Sequence, residues 1–309
     1  MRKIFFLCAL CASVLTANAT EGALNGKFTI NSSGDQIVFS KGNLQYVGTW
    51  QFATNQWDCI GDEAQADDNR DLFGWGTGDA PNKVSTICED YATFHDWGAN
   101  PITNGGNAAN LWRTLTSDEW RYLFVTRNNA TDLFGVGKIG NIVYGAILLP
   151  DNWTLPEGAS FASASAKGYT FSTSTCDGYY EGNTPTDNEY TLEQWAVMEA
   201  AGAVFLPTAG YRGLYGPDVL GDYWSATAAI DECFAYAFLV NSPRIFPTLC
   251  DLDTPQGVSV RLVQDVANGG TGIESVQNSG FRAQKVVRDG QLVIIRDGKT
   301  FNALGAEVQ

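Results

Sequence analysis

Residues Leu111–Phe124 read LWRTLTSDEWRYLF, and this stretch decides the fold. Thr116-Ser117-Asp118-Glu119 has the T-x-x-E spacing of a capping box. In that motif the threonine side chain caps a helix and the glutamate folds back on its first turn. Asp118 and Glu119 then lie at the positive end of the helix dipole. Trp120, Leu123 and Phe124 follow at i, i+3 and i+4 and form one apolar stripe, with Trp112 upstream placed to cover the start. The pattern predicts a well-capped amphipathic helix over 117–127. Thr191-Leu192-Glu193-Gln194 is a second capping box, opening a helix from Leu192 to Ala201 that Gly202 ends as its C′ residue.

Around these helices the sequence reads as strands and loops. Gln36–Phe39, Leu44–Val47 and Thr49–Phe52 are short and rich in β-branched or aromatic residues, with Ser40-Lys41-Gly42-Asn43 as the first turn. Residues 61–110 read as long surface loops, a length that usually signals function or decoration. Ile142–Leu149 reads as a buried strand, and residues 156–189 as a polar loop. The apolar runs Ala203–Leu206, Tyr223–Thr227, Phe234–Val240 and Val258–Val263 read as further strands joined by Gly, Pro and Asp turns. Asp71–Gly76 (DLFGWG) is echoed by Asp132–Gly137 (DLFGVG). One hexapeptide seen twice is too little for a repeat architecture, and both copies read as turns whose Leu-Phe pair plugs the core. Two helices and then a run of strands predict an α+β fold with antiparallel strands. Residues 266–280 form a Gly/Ser/Asn-rich linker. Residues 281–309 are expected to be a small β-meander, with Asp289-Gly290 and Asp297-Gly298 as its hairpin turns. So short a meander is marginal alone, and a docking partner is expected for it.

Composition bounds the function. The 309 residues are 44% hydrophobic and 17% charged, with 33 glycines and 9 tryptophans, which suits a globular, loop-rich chain with ample core. The net charge is −15. Because both the first twenty residues and the tail are net basic, the acidity concentrates between them, which disfavours nucleic acid and anionic surfaces. Arg2-Lys3, the apolar run Ile4–Leu15 and Ala17-Asn18-Ala19 have the order of a cleaved secretory signal, residues 1–19. Cys8 and Cys11 lie inside it without a lipobox. No later apolar run reaches the roughly 20 residues of a transmembrane segment. The expected location is therefore outside the cytoplasm: extracellular, periplasmic or on an outer-membrane surface. Five cysteines are left after the signal: Cys59, Cys88, Cys176, Cys233 and Cys250. Export permits disulfides, and the odd number leaves one thiol over or pairs it between molecules. Connectivity is open from sequence, with Cys233–Cys250 preferred because a hairpin would join them.

Four segments in order carry a family resemblance, over roughly residues 36–264. Arg113–Trp120 (RTLTSDEW) resembles the R-L-P-T-x-x-E-W signature of the formylglycine-generating-enzyme branch of the C-type-lectin-like fold. Ala203–Arg212 (AVFLPTAGYR), Tyr223-Trp224-Ser225-Ala226 and Gly257–Arg261 (GVSVR) resemble its later strand, W-S and closing segments. The same pieces recur in secreted proteins of Bacteroidetes and Fibrobacter, including the Fibrobacter succinogenes major paralogous domain group. The resemblance implies a C-type-lectin-like domain over residues 20–265. The tail is similar to C-terminal segments of exported Bacteroidetes proteins, some of them sorting or surface-attachment domains. Enzymes of the branch use cysteines near a final G-F-R-C strand to bind copper and activate oxygen. Here Leu262 stands where that terminal cysteine would fall, and leucine cannot ligate Cu(I). The reading therefore leans away from an enzyme.

The resemblance places one cluster on an exposed ligand face: Tyr211, Arg212, Tyr215, Asp222, Tyr223 and Trp224. Aromatic planes with Arg and Asp suit a glycan or a protein hot spot. The competing reading, strongest for Trp224 and Arg261, is a packed core lattice. His95 is the only histidine, is expected in a loop, and excludes His-rich metal sites. No G-x-S-x-G is present. The acidic run Asp67–Asp71 lacks the Gly and the final Glu of an EF-hand. No cofactor is expected, although acidic loops leave room for a structural calcium. Function then reads as a non-catalytic module for a glycan or protein ligand. The alternatives are a divergent oxidase of the same branch and a structural surface or fimbria-associated subunit.

Overall fold

In a computed structural model of the protein, side chains are described for residues 21–61, 65–66, 68–140, 143–173, 178–182, 188–212, 220–241 and 244–266. Residues 283–288, 291–296, 299–302 and 307–308 are described by their backbone. The signal, the linker beyond Val266, both Asp-Gly turns of the tail, Asp67, Cys176 and Tyr215 lie outside the described residues. The chain divides into two compact units, residues 1–267 and 268–309.

In chain order the first unit begins with strands β1 (Phe28–Thr29), β2 (Gln36–Phe39), β3 (Leu44–Tyr46), β4 (Trp50–Phe52) and β5 (Arg113–Thr114), followed by helix α1 (Ser117–Arg121). Then come β6 (Phe134–Ile139), β7 (Val143–Leu148), β8 (Thr170–Ser172), β9 (Tyr179–Glu181), β10 (Asn188–Tyr190) and helix α2 (Leu192–Ala200). It closes with β11 (Val204–Pro207), β12 (Gly221–Ala228), β13 (Phe234–Asn241), β14 (Arg244–Asp253) and β15 (Leu262–Asp265). Three sheets have the orders β1-β2-β15-β5, β10-β6-β7-β11 and β12-β13-β14-β9-β8, and β3 pairs with β4 as a hairpin. All pairings are antiparallel except β10 on β6. The fold is α+β, mostly antiparallel, with two short helices, as expected.

Both capping boxes form. Thr116 Oγ1 accepts from the Glu119 N–H, and Glu119 Oε2 accepts from the Thr116 N–H at 2.7 Å. Thr191 and Gln194 make the same exchange at α2. Beyond Arg121, α1 widens into a π turn over Tyr122–Thr126, closed by the Arg127 N–H on the Tyr122 carbonyl. Trp120 is fully buried, stacked on Phe238 of β13 at 5.1 Å and beside Phe39 of β2, so α1 joins two sheets. Arg113 in β5 reinforces this joint, bonding both carboxylate oxygens of Glu119 and also Asp265 of β15. At the end of α2, Gly202 has φ +102°, its N–H reaches the Glu199 carbonyl, and the Ala203 N–H reaches Met198. That is the Schellman pattern, in which a residue without Cβ is favoured.

Several segments depart from the sequence reading. Asp132–Gly137 is not a turn: Phe134 opens β6, while the first copy of the hexapeptide does bury Leu72 and Phe73 without entering a named strand. The loop 156–189 carries β8 and β9 and reaches into β10. Val258–Val263 is strand only from Leu262, with Val258 and Ser259 forming single bridges to Phe73 and Tyr223. The longest strand, β14, is hidden in the sequence by Pro247. Its register slips between Phe246 and Leu249 and again between Leu249 and Leu252. A bulge is one of the places within a sheet where proline is tolerated. In the second unit, β16 (Ala283–Arg288), β17 (Gln291–Arg296), β18 (Lys299–Asn302) and β19 (Glu307–Val308) form an antiparallel meander with two-residue connections after β16 and β17. Among the described residues, no helix is long and apolar enough to cross a membrane.

Candidate functional site

Most of the expected ligand cluster faces inward. Asp222, Tyr223 and Trp224 have no exposed surface, and Tyr211 is buried in the same core as Trp224. Alternation along β12 explains the split: Tyr223 points to the core around Trp120, and Trp224 to the opposite one. The Tyr223 hydroxyl donates to the Pro207 carbonyl at 2.8 Å, and the Trp224 indole donates to the Phe73 carbonyl at 2.7 Å. Asp222 is turned into the interior beside the Tyr211 hydroxyl, and burial pushes its pKa up to about 8. These side chains are therefore not on an open face; the paired Tyr and Trp handles are spent on backbone carbonyls.

Arg261 belongs to the same interior. Its guanidinium donates to Asn43 Oδ1 at 3.1 Å, to Gln56 Oε1 at 2.7 Å and to the Phe205 carbonyl at 3.2 Å. Gln56 in turn donates to Glu199 Oε2 and the Ala203 carbonyl, and accepts from the Phe205 N–H. One buried cation thus ties together the closing segment, the β2–β3 turn, the loop after β4, the end of α2 and β11. Burial lowers the Arg261 pKa to about 10, which leaves it charged at neutral pH. The next residue, Leu262, is fully buried and hydrogen-bonded into the sheet between β2 and β5.

Of the described members of the expected cluster, Arg212 lines an opening. A cleft of about 520 Å³ is bordered by Val84, Ser85, Thr86 and Cys88 on one side and by Cys233, Asp253 and Pro255–Gly257 on the other. Arg212 crosses its floor, donating to the Leu72 carbonyl at 3.0 Å and the Pro255 carbonyl at 3.1 Å. This crossing requires Gly257, where a Cβ would stand 2.7 Å from Arg212 Cβ and Cζ. The turn leading to Cys233 is fixed by its N–H on Asp231 Oδ1 and by the Ala229 N–H on the Phe234 carbonyl.

The disulfide expectation needs correction. Cys233 pairs with Cys88, 145 residues away, with Cα atoms 5.0 Å apart, and not with Cys250. Cys250 is held in a disulfide of its own, two positions short of the β14 residue that faces Ala235. Sequence reasoning missed Cys88 because its loop carries no strand pattern that would place it. Near the Cys88–Cys233 bridge in sequence, exposed aliphatic side chains alternate with the exposed carboxylates Glu89, Asp90, Asp231 and Glu232. Val84 is 58% exposed, Ile87 56%, and Ile230, on the turn before Cys233, is completely exposed.

His95 lies in a loop, with Nε2 3.6 Å from Asp79 Oδ2 and both side chains about half exposed. In the acidic loop Asp71 is turned inward, where burial raises its pKa to about 6 while the Ile60 N–H and Gln65 Nε2 each donate to it at 2.6 Å. Among the described residues, no three His, Cys, Asp or Glu side chains gather as a metal site. No protein-family model, curated protein or solved structure matches the chain.

Proposed function

We propose that the chain is an exported, non-catalytic binding module on a C-type-lectin-like scaffold, and that its ligand is a protein received at the Cys88–Cys233 cleft. The observation that carries this reading is an inversion of the usual surface chemistry. The aromatic planes that would stack on a sugar (Tyr211, Tyr223, Trp224) are buried, whereas Val84 on the cleft wall is exposed, as are Ile87 and Ile230, which precede its two cysteines in sequence. Exposed aliphatic side chains around a concavity favour contact with another protein. The non-catalytic part is supported by the Arg261 network. The segment where the resembled enzymes hold their copper cysteine serves here as a buried structural tie.

The test compares the full chain with an Ile87→Asp/Ile230→Asp variant on a displayed-peptide library and on a glycan array. Peptide binding lost in the variant supports the reading. Glycan binding indifferent to the variant, or tight Cu(I) binding with oxygen turnover, overturns it. A second reading, a subunit of a surface assembly, draws on the tail. There β16 and β19 are the outer strands of the meander, and unpaired strand edges recruit other strands. Removing residues 281–309 and locating the protein separates the two: loss of surface assembly favours the subunit.

A further inference from the structure

The wall of the cleft formed by residues 81–90 differs from the wall facing it. Among the described residues, each of its hydrogen bonds closes within residues 80–92. The Lys83 N–H reaches the Ala80 carbonyl at 3.0 Å, the Ser85 N–H the Tyr91 hydroxyl at 2.9 Å, the Ile87 N–H Ser85 Oγ at 3.1 Å, and the Asp90 N–H the Ile87 carbonyl at 3.3 Å. The Ser85 hydroxyl and the Lys83 ammonium both turn back to Asp90. Tyr91 anchors the end of this loop, buried against Gly74, where even a Cβ would come within 2.3 Å of its ring. The facing wall, by contrast, is woven into the domain. The Thr254 N–H bonds the Cys233 carbonyl at 2.9 Å, the Trp75 N–H bonds Thr254 at 2.9 Å, and Phe73 and Val258 exchange both backbone bonds. From wall to wall, the covalent link is Cys88–Cys233. Both cysteines are half-buried and border the opening, so a small thiol can reach them.

We propose that this disulfide is a thiol-sensitive latch: a dithiol reductant frees residues 81–90 from the β13–β14 end and opens the cleft. One thiolate of the reductant attacks a bridge sulfur, forming a mixed disulfide and expelling the other cysteine as a thiolate, which takes a proton from water. The second thiol of the reductant then closes its own ring disulfide and releases the remaining cysteine. Two electrons pass from reductant to protein. The latch requires only the geometry of the loop; its consequence for ligand rests on reading the cleft as the binding site.

The experiment treats the full chain with dithiothreitol without denaturant, labels thiols with iodoacetamide, maps the labels, and follows amide exchange peptide by peptide. The expected result is labelling of Cys88 and Cys233 while tryptophan near-ultraviolet dichroism stays native. Exchange within 81–90 should rise about tenfold or more, while 220–228 and 258–265 hold their protection. A Cys233→Ser variant should show the fast exchange without reductant. Two results would overturn the latch: cysteines that label only when the domain unfolds, or cysteines that label with exchange in 81–90 unchanged. Opening that leaves capture of a displayed peptide unaltered upholds the latch and counts against the cleft as the ligand site.

Discussion

The segment Asp253–Asp265 ends in two contrasting regions. Near its C-terminal end, Arg261 is sealed from water and donates through its two terminal nitrogens to three acceptors contributed by elements far apart in sequence. At its N-terminal end, Asp253–Gly257 borders a cleft whose other wall, among the described residues, hydrogen-bonds within itself and is tied across by one disulfide. The same short stretch of chain thus supplies a rigid tie and an adaptable opening. The difference lies in where the polar groups find their partners. A buried guanidinium must be matched by fixed acceptors, because an unpaired buried charge costs several kcal/mol. An exposed loop carries no such demand and is free to serve a ligand.

The largest test of that contrast is Arg261→Met. Removing the cation takes a buried donor from Asn43 Oδ1 and the Phe205 carbonyl and leaves Gln56 Oε1 with the Phe205 N–H alone. The expected loss is about 3–5 kcal/mol in a urea titration, since each buried acceptor left short of its donor costs about 1–3 kcal/mol. A loss under about 1 kcal/mol would show that the network is not what holds the closing segment, and the contrast would fail.

Next in size is a pH effect carried by Asp222. Its folded pKa, about 8, stands above the ordinary carboxylate value because burial penalises the charge. The folded state therefore holds a proton that the unfolded chain has released. The contribution of Asp222 to stability is fully present below its unfolded pKa of roughly 4, falls as pH rises toward 8, and levels above it. Asp71 adds a similar slope, but only up to about 6. The interval from pH 6 to 8 therefore isolates Asp222, where stability should drop by roughly 2 kcal/mol, since a full proton difference is worth about 1.4 kcal/mol per pH unit. Asp222→Asn should remove most of that slope; urea midpoints across the interval measure it. An unchanged slope would place the titrating group elsewhere.

Thr116→Ala should cost about 1 kcal/mol, the usual worth of an N-cap, read from the same titration. It probes a part of the fold that was legible from sequence. The two capping boxes are contiguous motifs, and both form as written because their partners lie three residues apart. Gly202 was legible for the same reason. Strand β14 was not, since proline inside a strand is tolerated only by a register shift that its partner must supply. The second hexapeptide was misread because Phe134 begins a strand whose pairing partners, β7 and β10, are not adjacent to it in the motif. The candidate site was the least legible. Its walls come from residues 84–88, 212, 233 and 253–257, and Cys88 meets Cys233 only once the loop has closed over the sheet. The resemblance placed Tyr223 and Trp224 on a ligand face, with a packed core as the competing reading for Trp224, because aromatic side chains suit both; alternation along β12 assigns them to two cores.

The smallest expected change in stability tests the cleft most directly. Ile87 and Ile230 are exposed, so replacing either with Ser removes little buried area and should shift stability by no more than about 0.5 kcal/mol. The same side chains are those a protein partner would cover, and losing a covered aliphatic contact typically weakens binding by about tenfold, or roughly 1.4 kcal/mol. The informative result is this dissociation: an unmoved urea midpoint together with a peptide affinity reduced by about a factor of ten. A variant that loses stability without losing affinity would place Ile87 or Ile230 with the structural interior, and the division between tie and opening would have to be redrawn.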